Sequence, residues 1–129
     1  MAMLDHISLG VRDLTVSGAF YDAALGPLGY RRVLEKGIGM AYGPGPARAG
    51  MMFWIVRPNA DVSASRGSHV AFAASSRAAV DDFHAAALAA GARDNGAPGL
   101  RPEYSENYYG AFVLDPDGHK VEAVCRTEH

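Results

Sequence analysis

Two short stretches of the chain alternate between apolar and polar residues, as a strand with two different faces does. In residues 4–11 the alternation places His6 and Ile7 on opposite faces. Residues 67–74 repeat the pattern, and His69 takes the third position there as His6 does in the first stretch. Because successive side chains of a strand point to opposite faces of the sheet, each stretch predicts a strand with one buried face.

The chain carries a faint internal repeat with an offset of 63 residues, the distance between the two histidines. The same offset matches Asp13 with Ser76, and both are residue types that begin helices well. Two apolar pairs also match at the spacing of a buried helical stripe, Phe20 with Phe83 and Leu25 with Leu88. The pattern therefore predicts two strand-then-helix units in a common register.

The remainder of each half is predicted to form strands. In the first half, after a helix stop at Gly29, these are residues 30–35, 39–42 and 51–57, with a long loop at 43–50. In the second half they are residues 108–114 and 120–126, on either side of the hairpin turn sequence Asp-Pro-Asp-Gly. Residues 91–107 are rich in breakers and polar residues, so we expect the second strand of this half to be short, displaced or absent.

Composition limits the class of protein. The chain has 129 residues, the size of one domain, and 12 basic against 14 acidic residues with no basic cluster, which disfavours nucleic acid and anionic membranes as partners. No apolar run approaches the length of a membrane span. The single cysteine, Cys125, cannot form an internal disulfide, and the N-terminus does not resemble a secretory signal, so we expect a cytoplasmic protein.

Three potential metal ligands are predicted to share the sheet face that helices do not cover: His6, His69 and Glu122. A lone strand histidine is more often structural than a ligand, and a lone glutamate is usually solvated. Here, however, the histidines occupy equivalent repeat positions and the glutamate follows on the last strand. Two imidazoles and one carboxylate hold a divalent ion with open positions, and iron(II), manganese, nickel, cobalt and zinc all suit this set.

Three segments together carry a family resemblance. They are the paired strands Leu-Asp-His-Ile-Ser-Leu-Gly-Val and Gly-Ser-His-Val-Ala-Phe, the helix Ala-Phe-Tyr-Asp-Ala-Ala-Leu-Gly-Pro-Leu-Gly-Tyr, and the closing Gly-Ala-Phe-Val-Leu-Asp-Pro-Asp-Gly-His-Lys-Val-Glu-Ala-Val. The chain resembles the vicinal oxygen chelate superfamily, which includes glyoxalase I, extradiol dioxygenases and bleomycin resistance proteins.

The resemblance implies an α+β fold of two βαβββ modules, whose curled mixed sheets surround a cleft with helices on the outside. It divides the chain into a single domain with module one at about 1–57, a linker at about 58–66 and module two at about 67–129. It also implies metal ligands on the first and fourth strands, which His6, His69 and Glu122 match.

One departure from the family pattern concerns a fourth ligand. Glyoxalase I carries Glu or Gln on the last strand of its first module, whereas aligning Gly50 with Gly118 places Trp54 opposite Glu122 here. A glyoxalase I mechanism is thereby put in doubt, and the three-ligand set is more similar to extradiol dioxygenases and fosfomycin-modifying transferases. We expect Trp54 to form an apolar wall that contacts the substrate.

Residues 100–109 gather further candidates just before a strand that enters the cleft. Arg101 and Asn107 are candidate substrate-binding residues, and one of Tyr104, Tyr108 and Tyr109 is a candidate general acid. The tyrosines equally suit packing at a rim or a subunit interface. His119, in the final turn, is expected to be solvated.

Two functions are consistent with these residues and with the resemblance. The first is a metal-dependent enzyme, a lyase, isomerase, dioxygenase or thiol transferase, acting on a small molecule whose adjacent oxygens chelate the ion. The second is a metal-free protein that sequesters a small molecule, of the bleomycin-resistance type. The ligand set favours the first, the use of glutathione stays open, and the resemblance implies a homodimer whose ligands come from one chain or from two.

Overall fold

The computed structural model of the protein describes residues 3–45 and 52–129. Its elements are β1 (His6–Gly10), α1 (Leu14–Leu25), β2 (Arg31–Lys36), β3 (Gly39–Gly43), β4 (Met52–Val56), β5 (His69–Ala73), α2 (Arg77–Ala89), β6 (Arg93–Leu100), β7 (Tyr109–Leu114) and β8 (Lys120–Cys125). The expected strand start at Met51 and most of the expected loop, residues 46–50, lie outside the described residues.

The strands form two four-stranded sheets, ordered β1-β4-β3-β2 and β5-β8-β7-β6. In each sheet the first strand pairs in parallel with the last, and the other pairs are antiparallel. Each half of the chain is therefore a βαβββ module with a mixed sheet, which confirms the predicted α+β fold. The repeat is also confirmed, because both the first strands and the helices begin 63 residues apart.

The predicted caps begin both helices. Asp13 Oδ1 accepts from the backbone N–H groups of Thr15 and Val16 at 2.9 and 3.1 Å, and Ser76 Oγ accepts from Ala79 at 3.1 Å. These bonds satisfy N–H groups that the first helical turn leaves without partners. No helix in residues 3–45 and 52–129 is long and apolar enough to cross a membrane.

The core lies between the sheets and the two helices, which contact one another. Phe20 and Phe83 are both buried, as the repeat predicts. The expectation for Leu88 is wrong, since its side chain is 38% exposed. Helix α2 buries Val80, Phe83 and Ala87 instead, at the i, i+3, i+7 spacing of one helical face.

The expectation for residues 91–107 is also wrong, because β6 is a strand of eight residues. It pairs with β7 alone and lies at the sheet edge, where Pro98 costs no ladder hydrogen bond. The pairing shifts register on both sides of Gly96, whose φ of 149° suits glycine. Bulges and an edge position thus let a breaker-rich sequence form a strand.

The turn between β7 and β8 fastens the second module to α1 of the first. Buried Asp117 accepts from the backbone N and guanidinium of Arg12, both at 3.0 Å, and from Ser17 Oγ at 3.2 Å. Buried Asp115 accepts from Tyr21 Oη at 2.5 Å. The turn sequence therefore does more than reverse the chain: its two carboxylates position β8 relative to the first module.

Candidate functional site

The structure brings His69 and Glu122 together on the face of the second sheet that the helices leave open. Glu122 lies beside Ala71 in the parallel β5–β8 ladder, and His69 is two residues earlier on the same face. Its Nε2 atom is 3.0 Å from Glu122 Oε1. The Glu122 side chain is only 1% exposed and that of His69 is 41% exposed, so the imidazole provides the accessible end of the pair.

Tyr108 completes the surroundings of this carboxylate. Its hydroxyl donates to Glu122 Oε2 at 2.5 Å, so both carboxylate oxygens have partners. Burial, and then the hydrogen bond to Glu122, raise the pKa of Tyr108 to about 12. Tyr108 therefore holds its proton at neutral pH. The three residues line a cavity of about 270 Å³ with Tyr104, Phe112 and Lys120.

His6 does not join this pair within one chain. Its side chain is 55% exposed, with Nδ1 2.7 Å from Asp5 Oδ1. The neighbouring Ile7 lines a cavity together with His69, and His6 points to the opposite face of β1. In the part of the chain that the structure describes, no three histidine, cysteine or acidic side chains lie close enough to share an ion.

Trp54 occupies in the first sheet the position that Glu122 occupies in the second. In the parallel ladders Ser8 is the partner of Trp54, as Ala71 is the partner of Glu122. The half-buried indole lies over Gly39, where an added Cβ would be 3.2 Å from the ring. Trp54 and His6 thus share the open face of the first sheet.

The other candidates from residues 100–109 are divided between two faces. Tyr104 lines the cavity and meets Tyr108 edge to face, with ring centroids 5.1 Å apart. Tyr109 does not reach the pair, because it lies on the helix-facing side of β7 and its hydroxyl donates to Asp81 on α2 at 2.7 Å. The alternation of β7 separates the adjacent tyrosines.

Arg101 and Asn107 lie in the connection that carries Tyr104. The Arg101 guanidinium is 5.6 Å from the centre of the Phe112 ring and donates to the Ala97 carbonyl at 2.8 Å. Asn107 has a φ of 64°, a left-handed conformation that asparagine tolerates, and it turns the chain into β7. Arg101 therefore borders the cavity, whereas Asn107 shapes the connection.

Two of the three remaining histidines, His84 and His119, have structural partners. His84 Nε2 is 2.9 Å from Asp94 Oδ1. His119, expected to be solvated, is half-buried with Nε2 2.7 Å from the Gly10 carbonyl, so the prediction for it is wrong. A sequence cannot indicate this contact, which joins residues 109 positions apart.

Sequence reasoning missed Phe112 and Lys120 as site residues. Both lie on the open face of the second sheet, where the Lys120 Nζ is 4.8 Å from the centre of the Phe112 ring. The sequence could have indicated Lys120, because it lies two residues before Glu122 and a strand places such residues on one face.

The comparisons with known proteins agree with this fold. Residues 3–123 match the family model of the glyoxalase/bleomycin resistance protein/dioxygenase superfamily. The chain belongs to this superfamily. It is 34% identical over 122 residues to an uncharacterized protein of Pseudomonas aeruginosa, covering 92% of this chain and 85% of that one.

Solved structures extend the likeness over nearly the whole chain. A glyoxalase/bleomycin resistance protein from Albidiferax ferrireducens superposes with a TM-score of 0.86 at 36% identity, covering 98% of this chain and 100% of that one. The fosfomycin resistance protein FosX from Listeria monocytogenes, complexed with Mn(II) and a dihydroxypropylphosphonic acid, gives 0.70 at 20% identity, covering 99% and 93%. The second likeness, at low identity, concerns the fold alone.

Proposed function

We propose that this protein is a metal-dependent enzyme acting on a small molecule that presents two adjacent oxygens to a divalent ion. The observation that carries the proposal is the pair of His69 and Glu122, 3.0 Å apart on the open face of a sheet. A neutral imidazole and a carboxylate are suitable ligands for a first-row divalent ion. Membership of a superfamily that includes glyoxalases and dioxygenases supports this choice.

The donor set fits a metal site only in part within one chain. His69 and Glu122 converge, while His6 points away from their cavity. We propose that the protein is a homodimer and that His6 of a second copy completes the set, with Trp54 of that copy forming an apolar wall. The open faces of the two sheets would then meet across the subunit interface.

Each residue of the site has a distinct proposed role. A divalent ion held by His6, His69 and Glu122 would act as a Lewis acid on the two substrate oxygens. Tyr108 donates to Glu122 and so fixes the orientation of the carboxylate, as outer partners of ligands do. Tyr104, which is 59% exposed and lines the same cavity, would give a proton to the substrate. Arg101 would pair with an anionic group at the rim.

Calorimetric titration with zinc or manganese tests the metal site. We expect His6→Ala, His69→Ala and Glu122→Gln each to weaken binding by about tenfold or more, since each removes a ligand. His129→Ala is the matched control, because His129 is exposed and outside the proposed site. Equal affinities in all five proteins would contradict the proposal.

Tryptophan emission provides a second measurement, because Trp54 is the sole indole of the chain. Paramagnetic manganese should quench it in the unmodified protein and not in His69→Ala at the same concentration. If manganese binds without quenching the emission, Trp54 does not form a wall of the site.

A second candidate function is metal-free sequestration of a small molecule. It is favoured by the hydrogen bonds that already occupy both oxygens of Glu122 and by Lys120, whose positive charge next to His69 opposes a bound cation. Under this function the same calorimetry detects no metal binding to the unmodified protein.

A further inference from the structure

Lys120 occupies a central place at the candidate site. It is the direct cross-strand partner of His69 in the β5–β8 ladder. Three cavities, of about 260, 370 and 270 Å³, are each lined by both Lys120 and His69. Any small molecule that reaches His69 therefore comes close to Lys120.

The charge of Lys120 has no anionic partner within the described part of the chain, where the lysine forms no ion pair. The nearby carboxylate of Glu122 is bonded through both oxygens to His69 and Tyr108. What the lysine contacts instead is the Phe112 ring, whose centre is 4.8 Å from Nζ and whose face attracts a cation only weakly compared with an ion pair. The ammonium thus keeps its capacity to donate to a ligand.

The lining of the three cavities carries an excess of positive charge. Lys120 and Arg66 contribute cations, and Glu122 is the one acidic residue among the described residues that line them. Low-dielectric walls strengthen the field of such charges in a recess. An anion is therefore favoured there over a neutral or cationic molecule of the same shape.

We infer that Lys120 determines substrate specificity by binding an oxyanion, a carboxylate or a phosphate, on a substrate whose adjacent oxygens face His69 and Glu122. The inference rests on the proposed function, because Lys120 faces the same pair of residues. It narrows the substrate class to small anionic diols and hydroxy compounds. Neutral diols and hydroxyketones are excluded as good substrates.

The chain offers an unusually direct test, because it contains just two lysines, Lys36 and Lys120. Reductive methylation with ¹³C-formaldehyde labels both lysine amines, together with any free α-amino group, and keeps their charge. Lys36, exposed on β2, is an internal control. The probes are glycerate, glycerol 3-phosphate and glycerol, which share a vicinal diol and differ in carrying a carboxylate, a phosphate or no charge. NMR spectra are recorded on the full chain, with and without diamagnetic zinc.

We expect glycerate, glycerol 3-phosphate or both to shift the Lys120 signal in a saturable manner while the Lys36 signal stays unchanged, and glycerol to shift neither. In calorimetry, Lys120→Met should lower the affinity for whichever anion binds by about tenfold or more, which is the scale of a charge-assisted hydrogen bond. Lys120→Arg should retain most of the affinity and Lys36→Met all of it. Response to one anion and not the other identifies the oxyanion.

The inference is overturned if both lysine signals shift alike without saturation, or if Lys120→Met binds the anions as tightly as the unmodified protein. Its failure is distinguishable from that of the proposed function. Zinc binding that depends on His69 and Glu122, without an anion effect at Lys120, refutes the specificity role alone. Anion binding at Lys120 without binding of zinc or manganese refutes the metal-dependent enzyme and retains the oxyanion site.

Discussion

The Glu122 carboxylate is a nearly fully buried acid whose partners are one imidazole and one phenol. A buried carboxylate is costly unless its oxygens accept hydrogen bonds. We predict that Tyr108→Phe lowers the free energy of unfolding by about 1–3 kcal/mol, because Glu122 Oε2 loses its donor. Urea denaturation measures the change, with Tyr104→Phe as the control since Tyr104 is 59% exposed. An equal, small effect in both variants would mean that Glu122 does not depend on the phenol.

For single residues, the sequence predicted which face of a strand a side chain occupies, but it did not predict its hydrogen-bond partners. Alternation along β5 and β8 was enough to place His69 and Glu122 on one surface. It could not indicate that Tyr108, and not Tyr109, covers the carboxylate, because the two are adjacent and the exact strand register decides between them. The alternation also could not predict the distance between His6 and His69, because that distance depends on how the two sheets are arranged.

Strand β6 contacts the candidate site at Gly96, which is the cross-strand partner of the cavity residue Phe112. A Cβ at Gly96 would be 3.0 Å from the Phe112 ring, and the φ of 149° is unfavourable for other residues. We predict that Gly96→Ala lowers the free energy of unfolding by about 2–3 kcal/mol through backbone strain and crowding. Gly37→Ala is the matched control: its φ is 58° with open space around it, so only the backbone cost of about 1 kcal/mol applies. Equal losses of unfolding free energy for Gly96→Ala and Gly37→Ala in urea denaturation would show that the Phe112 ring moves aside without cost.

The elements that could be predicted are those with local signals. Asp13 and Ser76 begin helices because each side chain bonds N–H groups two or three residues away. β6 could not be predicted, because its glycines and Pro98 disfavour a strand locally and its existence depends on pairing with β7. Tertiary pairing outweighed local propensity there.

The two modules are joined by the turn carboxylates that contact α1. We predict that Asp117→Asn lowers the free energy of unfolding by about 1–3 kcal/mol, because a buried, charge-assisted set of bonds to Arg12 and Ser17 is weakened. Asp61→Asn, at an exposed position, is the control for loss of one negative charge. If the two variants denature at the same urea concentration, the turn contributes no more than a surface charge does.

The proposed two-chain site predicts a specific result on mixing. His6→Ala and His69→Ala each leave every site of a homodimer without one ligand, whereas a mixed dimer has one complete site. Unfolding and refolding the two variants together should restore about a quarter of the metal bound by the unmodified protein, since half of the random dimers are mixed and each has one site of two. Metal analysis after gel filtration measures it, and refolding each variant alone is the control. No recovery would contradict a site shared between chains.

The two parallel ladders have matching registers, and different residues at one matching position make the two ends of the proposed site chemically different. Trp54 and Glu122 hold equivalent places, each diagonal to a histidine on its own sheet. If both places carried a carboxylate, a cleft formed by the two open faces would have nearly the same chemistry at its two ends, and a ligand could bind in either orientation. With an indole at one end and a carboxylate at the other, the proposed cleft would distinguish the two ends of a ligand. One pair of non-identical residues, at equivalent positions of a repeated fold, would then select a single orientation of a bound molecule.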